Sequence, residues 1–143
     1  MFGTSKMMET NYLMEKALDV ESLRKTVITN NITNVDVPHF KRSEVNFESE
    51  LRRTIENNKF KAQNEVPAIL TDRRHIAFTE YKNITSVQPR INLDYSTSYN
   101  NNGNNVDIEK EMVDASKNLM RYSAIANGLS QNFKLLKSIM RVG

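Results

Sequence analysis

The side chains of this chain that could do chemistry are few and lie far apart in the sequence. His39 and His75 are the only histidines, and there is no cysteine. His75 follows Arg73 and Arg74, whose positive charges disfavour a bound cation, and Asp72 is the acidic residue nearest to it. Neither histidine therefore has the neighbours that a zinc site or a base-activated nucleophile needs.

Other patterns typical of catalysis or ligand binding are also incomplete. Glu109 and Glu111 point in different directions on a helix, and carboxylates at a helix start commonly stabilise its dipole. The four glycines, at positions 3, 103, 128 and 143, are too far apart for a phosphate-binding loop. The basic pairs are isolated, which favours solvated or subunit-contact side chains over a lipid or nucleic-acid surface; they are Lys41-Arg42, Arg52-Arg53 and Arg73-Arg74. We therefore expect no catalytic centre, metal or cofactor.

Composition limits the size of the core. The 143 residues are 38% hydrophobic and 8% aromatic, without tryptophan, and the mean hydropathy is −0.59. The net charge of +3 is spread along the chain and does not support nucleic-acid binding. No stretch reaches the roughly 18 apolar residues of a membrane span, and residues 1–13 lack the apolar core of a signal peptide. We expect a chain whose stability depends on neighbouring molecules.

Two segments have the periodicity of long amphipathic helices that could position such side chains. The first is predicted over residues 5–34 and should stop before Pro38, which pushes Val37 out of the α region. Asn104 or Asn105 could cap the second helix. The apolar stripe of the first helix comprises Leu13, Ala17, Val20, Leu23 and Val27, continued by Ile28, Ile32 and Val35.

The second helix carries a stripe at alternating four- and three-residue steps. Its members are Ile108, Met112, Ala115, Leu119, Tyr122, Ala126, Leu129, Phe133, Leu136 and Met140. A repeat of about 3.5 residues places them on one face, which another helix must cover. This face could be the core of a self-contained bundle or a surface for further subunits. Small Ala115 and Ala126, mid-helix Gly128, and apolar Ile125 and Ile139 beside the stripe favour lateral packing.

The predicted fold class is mainly α, with two long antiparallel N- and C-terminal helices in a coiled-coil hairpin and an irregular, partly extended middle segment. Residues 1–42 would form the first helix and a loop, 43–104 the middle segment, and 105–143 the last helix, with the two ends forming one helical domain. Val45, Phe47, Leu51 and Ile55 predict a short helix or extended piece that ends at Asn57-Asn58, whereas residues 59–104 show neither period.

The residues after the first helix resemble the signature N-I-A-N-x-x-T-P-G-Y-K of bacterial flagellar rod, hook and hook-associated axial proteins. The match comprises Asn31, Ile32, Asn34, Pro38 and Lys41, with Phe40 for tyrosine; Thr33, Val37 and His39 depart from it. A glycine after proline suggests a positive φ, which histidine tolerates poorly, so the loop is expected to differ here. Asn105, Val106 and Asp107, followed by Ile108 to Met112, are similar to the family's N-x-V-D-x-E-x-E-M entry into its last helix.

Two further runs, Thr71–Ile76 and Asn118–Tyr122, are similar to those of the short proximal rod members of this family. The resemblance implies a structural subunit whose terminal helices line a hollow tube and which leaves the cell through the flagellar export channel without a cleaved signal, for the periplasmic rod. It implies as partners the rod proteins FlgC, FlgF and FlgG, the adaptor FliE, the MS ring and further copies of the chain. The alternative is a soluble coiled-coil adaptor or secretion chaperone that binds a partner's amphipathic helix.

Overall fold

The computed structural model of the chain describes residues 2–63, 83–95 and 102–142. In chain order these form α1 (Phe2–Thr33), β1 (Ser43–Asn46), α2 (Glu48–Gln63), a 3₁₀ turn (Ile84–Ser86), β2 (Arg90–Leu93) and α3 (Ile108–Val142). Strands β1 and β2 pair in a two-stranded sheet. The chain divides into two units: Met1–Val45 with Pro89–Gly143, and Asn46–Gln88.

The first unit contains the two long helices, which pack against each other. Side-chain contacts join Asn31 to Glu111 and Glu21 to Asn118, so the helices run antiparallel. The predicted mainly α fold with long, packed terminal helices is confirmed. Helix α1 ends at Thr33, just before the Asn34 to Pro38 segment that was expected to stop it.

The start of α3 differs from the prediction. Neither Asn104 nor Asn105 caps the helix; it begins at Ile108, and Asp107 is its cap. The Asp107 carboxylate accepts hydrogen bonds from the backbone N–H groups of Glu109 at 3.0 Å and Lys110 at 3.3 Å. This is the geometry of an N-cap, in which a short acidic side chain satisfies the orphan donors of the first turn.

The middle segment contains more regular structure than its sequence indicates. The prediction that Asn57-Asn58 ends the short helix is wrong, because α2 continues to Gln63. β2 also lies within the stretch predicted to be irregular. Asparagine has only a modest intrinsic helix penalty, which favourable neighbours can override. The predicted Thr71–Ile76 match and His75 lie outside the described residues, as do residues 96–101.

The core of the first unit is unusually polar. Its buried apolar side chains are Val20, Val27, Ile28, Val45 and Val106, and its buried polar ones are Asn11, Glu21, Asn31, Arg42, Asn104, Asn105, Glu111 and Asn118. Among the described residues, every buried side-chain nitrogen and oxygen has a hydrogen-bond partner. In the second unit, α2 contacts the 3₁₀ turn. None of the described helices is both long and apolar enough to cross a membrane.

Candidate functional site: a polar junction and an exposed helix stripe

Asn31 joins the end of α1 to β1 and α3. Its side chain is 0% exposed. The amide oxygen accepts from the backbone N–H of Ser43 at 3.0 Å, and the amide nitrogen donates to the Ser43 carbonyl at 2.8 Å. The same nitrogen lies 3.2 Å from a carboxylate oxygen of Glu111 on α3. One asparagine therefore satisfies the outer edge of β1 and contacts α3 at the same time.

Arg42 and Glu111 form a buried ion pair beside Asn31. Arg42 Nε donates to Glu111 at 2.5 Å, and the Glu111 side chain is fully buried. Arg42 Nη1 donates to the exposed Glu44 at 3.0 Å. The third guanidinium nitrogen, Nη2, lies 3.6 Å from a carboxylate oxygen of Asp114. Burial acts most strongly and lowers the pKa of Arg42, but hydrogen bonds and charge from Glu111 and Glu44 outweigh it and raise that pKa. The guanidinium therefore stays charged at this site.

Asn104 and Asn105 fasten the loop after α1 to the segment before α3. The Asn104 amide nitrogen lies within 3.0 Å of three loop carbonyls, those of Asn34, Val35 and Val37. Asn105 accepts from the backbone N–H of Arg42 at 2.7 Å and donates to the Asp94 carbonyl, also at 2.7 Å. We call Asn31, Arg42, Asn104, Asn105 and Glu111 the polar junction. These contacts explain the three asparagines of the polar junction. An asparagine amide can both donate and accept, so it can replace a backbone hydrogen-bond partner that a loop or strand edge lacks.

His39 and Gly103 meet at the edge of the polar junction. His39 has φ of 60° and Gly103 has φ of 80°. The loop thus keeps the positive φ expected of the family's glycine, although a histidine occupies the position. A Cβ atom on Gly103 would lie 2.8 Å from Nδ1 of His39. A positive φ at a residue other than glycine places strain in the backbone at His39.

Polar pairs also occur farther along the α1–α3 interface. Asn118 donates to both the backbone carbonyl of Glu21, at 2.9 Å, and its carboxylate, at 2.5 Å. Arg24 pairs with the other oxygen of that carboxylate. Nearer the C-terminal end of α3, Asn132 donates to Asn11 at 2.8 Å. The helix pair is therefore held in register by polar contacts at several levels.

The residues of the predicted α3 stripe divide into two groups. Ala115, Ala126, Leu129 and Leu136 are half-buried, whereas Ile108, Met112, Leu119, Tyr122, Phe133 and Met140 are exposed. Leu119 is 66% exposed, Phe133 50% and Met140 74%. On α1, Val20 and Val27 are buried and Leu13, Ala17 and Leu23 are half-buried. Of the motif residues, Asn31, Asn105 and Val106 are buried, Ile32, Asn34, Phe40, Lys41 and Asp107 are half-buried, and Pro38 is exposed.

Sequence reasoning missed the side of α3 that faces α1. Glu111, Asn118, Ile125 and Asn132 recur at seven-residue steps, one position before Met112, Leu119, Ala126 and Phe133. The other heptad positions of the predicted stripe, Ala115, Tyr122, Leu129 and Leu136, lie beside both rows. A search for polar residues at heptad spacing could have found the row that faces α1. The expectation that Arg42 is a solvated or subunit-contact residue is wrong, because it forms a buried pair with Glu111, which also lies in the first turn of α3 as expected.

Comparison with known proteins places the geometry in context. No protein-family model matches the chain. The chain is 37% identical over 124 residues to the flagellar basal body rod protein FlgB of Borreliella burgdorferi, covering 87% of this chain and 90% of that protein. It is 41% identical to FlgB of Borrelia hermsii, covering 90% and 93%. Identity to FlgB of Bacillus subtilis is 34%, over 91% of this chain and 92% of the relative.

Proposed function

Because the chain belongs to the FlgB family of flagellar basal body rod proteins, we propose that it builds the rod wall through the exposed stripe of α3. It is a structural subunit of the flagellar basal body rod. In this role α1 and α3 form the subunit's own helix pair. The exposed row of α3, which comprises Met112, Leu119, Phe133 and Met140, packs on neighbouring subunits. The proposal requires no reaction at any side chain and no cofactor.

The observation that carries the proposal is the exposure of one heptad row. Met112, Leu119, Phe133 and Met140 repeat at intervals of seven or fourteen residues and are all exposed. In the adjoining row, three polar side chains of α3 bond to α1: those of Glu111, Asn118 and Asn132. Removing a leucine or phenylalanine side chain from water contributes about 1.5–3 kcal/mol. Burying a row of such side chains along one helix therefore strongly favours association with another helix.

Membership of the rod-protein family suggests the partners, and the exposed row suggests how they join. Contacts between different faces of successive subunits do not close on themselves and generate open helical assemblies, such as a tube. We propose neighbours that are copies of this chain and the rod proteins FlgC, FlgF and FlgG, with FliE and the MS ring at the base. Torque would then pass through interdigitated helices. No specific contact in the described residues favours the soluble adaptor or chaperone alternative.

Charged substitutions on the exposed row test the proposal. Leu119→Asp and Phe133→Asp place a carboxylate in the proposed contact, whereas Gln131→Asp adds the same charge at an exposed position roughly 200° from Phe133 around the helix. We expect the first two variants to be made at normal levels but to be missing from purified basal bodies, with loss of motility. Gln131→Asp should assemble.

Motile cells with intact rods carrying Leu119→Asp or Phe133→Asp would refute the role of the exposed row. Recovery of the unmodified chain in a soluble complex, with none in purified basal bodies, would favour the adaptor alternative instead. Circular dichroism of the purified variants controls for folding, because both side chains are exposed and their replacement should leave helicity unchanged.

A further inference from the structure

A groove of about 430 Å³ lies between α1 and the C-terminal half of α3. Its lining includes apolar side chains, which we call the apolar floor (Leu18, Ala126, Leu129 and Phe133), and the polar residues Ser130, Lys134 and Lys137. Both lysines are exposed, and neither takes part in an ion pair with any of the described residues. The groove therefore combines an apolar contact surface with unneutralised positive charge.

The outward face of α1 has the complementary composition. Met8, Tyr12, Glu15 and Asp19 follow one another at steps of four, three and four residues, and all are exposed. Helical residues at this spacing share one face. The two apolar side chains precede the two carboxylates, and no ion pair within the described residues engages Glu15 or Asp19. This row thus offers apolar side chains and negative charge together.

We propose that the groove receives the row of Met8, Tyr12, Glu15 and Asp19 from α1 of a second copy of this chain. The inference rests on the proposed function, since it names which face of a neighbouring subunit meets the α3 stripe. The chain's own α1 already forms one wall of the groove through Leu18, so the entering helix belongs to another copy. Met8 and Tyr12 would cover the apolar floor, and Glu15 and Asp19 would face Lys134 and Lys137.

The charges in this contact select the partner and its register more than they supply affinity. Exposed ion pairs contribute little net free energy, but like charges at the same place repel. The contact joins two different faces of the chain, so each subunit uses its groove on one neighbour and its α1 row on another. Such a contact continues from copy to copy without closing.

Complementary charge reversal provides the test. Allele A carries Lys134→Glu and Lys137→Glu, so that both its groove and its α1 row are acidic. Allele B carries Glu15→Lys and Asp19→Lys, so that both are basic. We expect each allele alone to reduce recovery of the chain in basal bodies at least tenfold, and co-expression of A and B to restore at least half of it. Lys25→Glu with Lys110→Glu, two exposed lysines outside the groove, is the matched control and should assemble.

Normal assembly by A or B alone, or no recovery on co-expression, overturns the inference. If A assembles normally while Phe133→Asp does not, a charge-independent neighbour occupies the stripe and the proposed function stands without this contact. A second measurement does not depend on the charge variants. Because the chain has no cysteine, Asp19→Cys and Ser130→Cys can be placed in separately tagged copies and cross-linked in basal bodies. A cross-linked product containing both tags is expected. In the control, Lys25→Cys replaces Asp19→Cys and measures the background of non-specific cross-linking. A yield no higher than this background would count against the contact.

Discussion

At the scale of single residues, His39 shows how a loop conformation can persist with an unfavourable side chain. Its φ of 60° is in the left-handed region, where a side chain other than glycine costs about 1–2 kcal/mol. The backbone N–H of His39 donates to the carbonyl of Asn102 at 3.2 Å, and Lys41 donates to that of Gly103 at 2.9 Å. These contacts, together with Asn104, hold the loop in the conformation that a glycine would adopt without strain.

The His39 and Gly103 pair leads to a prediction about coupled substitutions. His39→Gly should stabilise the protein by about 1 kcal/mol, because it removes the backbone strain. His39→Ala should give no gain, since it removes the ring but keeps the strain. Gly103→Ala should cost about 2 kcal/mol alone and about 1 kcal/mol in the His39→Gly background, where the 2.8 Å contact with the ring no longer exists. Urea unfolding of the four variants measures these differences, and equal costs in both backgrounds would contradict the contact.

The Arg42 and Glu111 pair predicts a larger effect. Arg42→Met leaves a fully buried carboxylate without its cation and should destabilise the protein by about 3–5 kcal/mol. The double variant Arg42→Met with Glu111→Leu removes both charges and should recover more than half of that loss, since an apolar pair of similar size avoids the desolvation cost. Chemical denaturation compares the two. A double variant less stable than the single one would mean that the carboxylate has a further essential partner.

At the scale of elements, the sequence predicts what depends on apolar periodicity and misses what depends on buried polar groups. The C-terminal end of α1 follows from its apolar stripe and from Pro38, whereas its start at Phe2 lies three residues before the predicted one. The start of α3 does not follow from such signals, because Asn104 and Asn105 are as suitable for capping as Asp107. What decides between them is tertiary: both asparagines are used at the polar junction. The polar side chains of α1 and α3 also face each other in pairs. The sequence of one helix does not reveal these pairs, because each depends on the position of the other helix.

Gly128 allows a prediction about α3 itself. A Cβ atom at this position would contact the terminal methyl group of Met14 at 3.8 Å, an ordinary van der Waals distance. Gly128→Ala should therefore stabilise α3 by about 1 kcal/mol through helix propensity alone. Gly128→Val should lose most of this gain, because its β-branch crowds Met14 and lowers propensity. Thermal unfolding followed by circular dichroism measures both. A Gly128→Ala variant that is more stable but fails to assemble would assign the glycine to a contact between subunits.

At the scale of the whole molecule, the side chains between α1 and α3 fix the alignment of the two helices more than they add to the free energy of unfolding. Buried hydrogen-bonded groups such as Asn118 and Glu21 add less net free energy than apolar side chains of the same size, but they penalise every misaligned pairing. The apolar side chains that would make a stronger hairpin lie instead on the exposed row of α3. Apolar periodicity reveals that row from the sequence, whereas the buried hydrogen bond between Asn118 and Glu21 depends on the facing helix and cannot be read from one segment.

This distribution predicts how order varies along α3 in the free chain. Its first turns are fixed by Glu111 and Asn118, both buried, whereas residues 133–141 are nearly all exposed. Amide hydrogens open most readily where few buried contacts oppose opening. In a dilute monomer we expect protection from exchange to be highest around residues 108–120 and to fall towards the C-terminal end of α3, with protection of that end appearing in purified rods. Strong, uniform protection over residues 105–141 of the monomer would show that the subunit orders α3 without its neighbours.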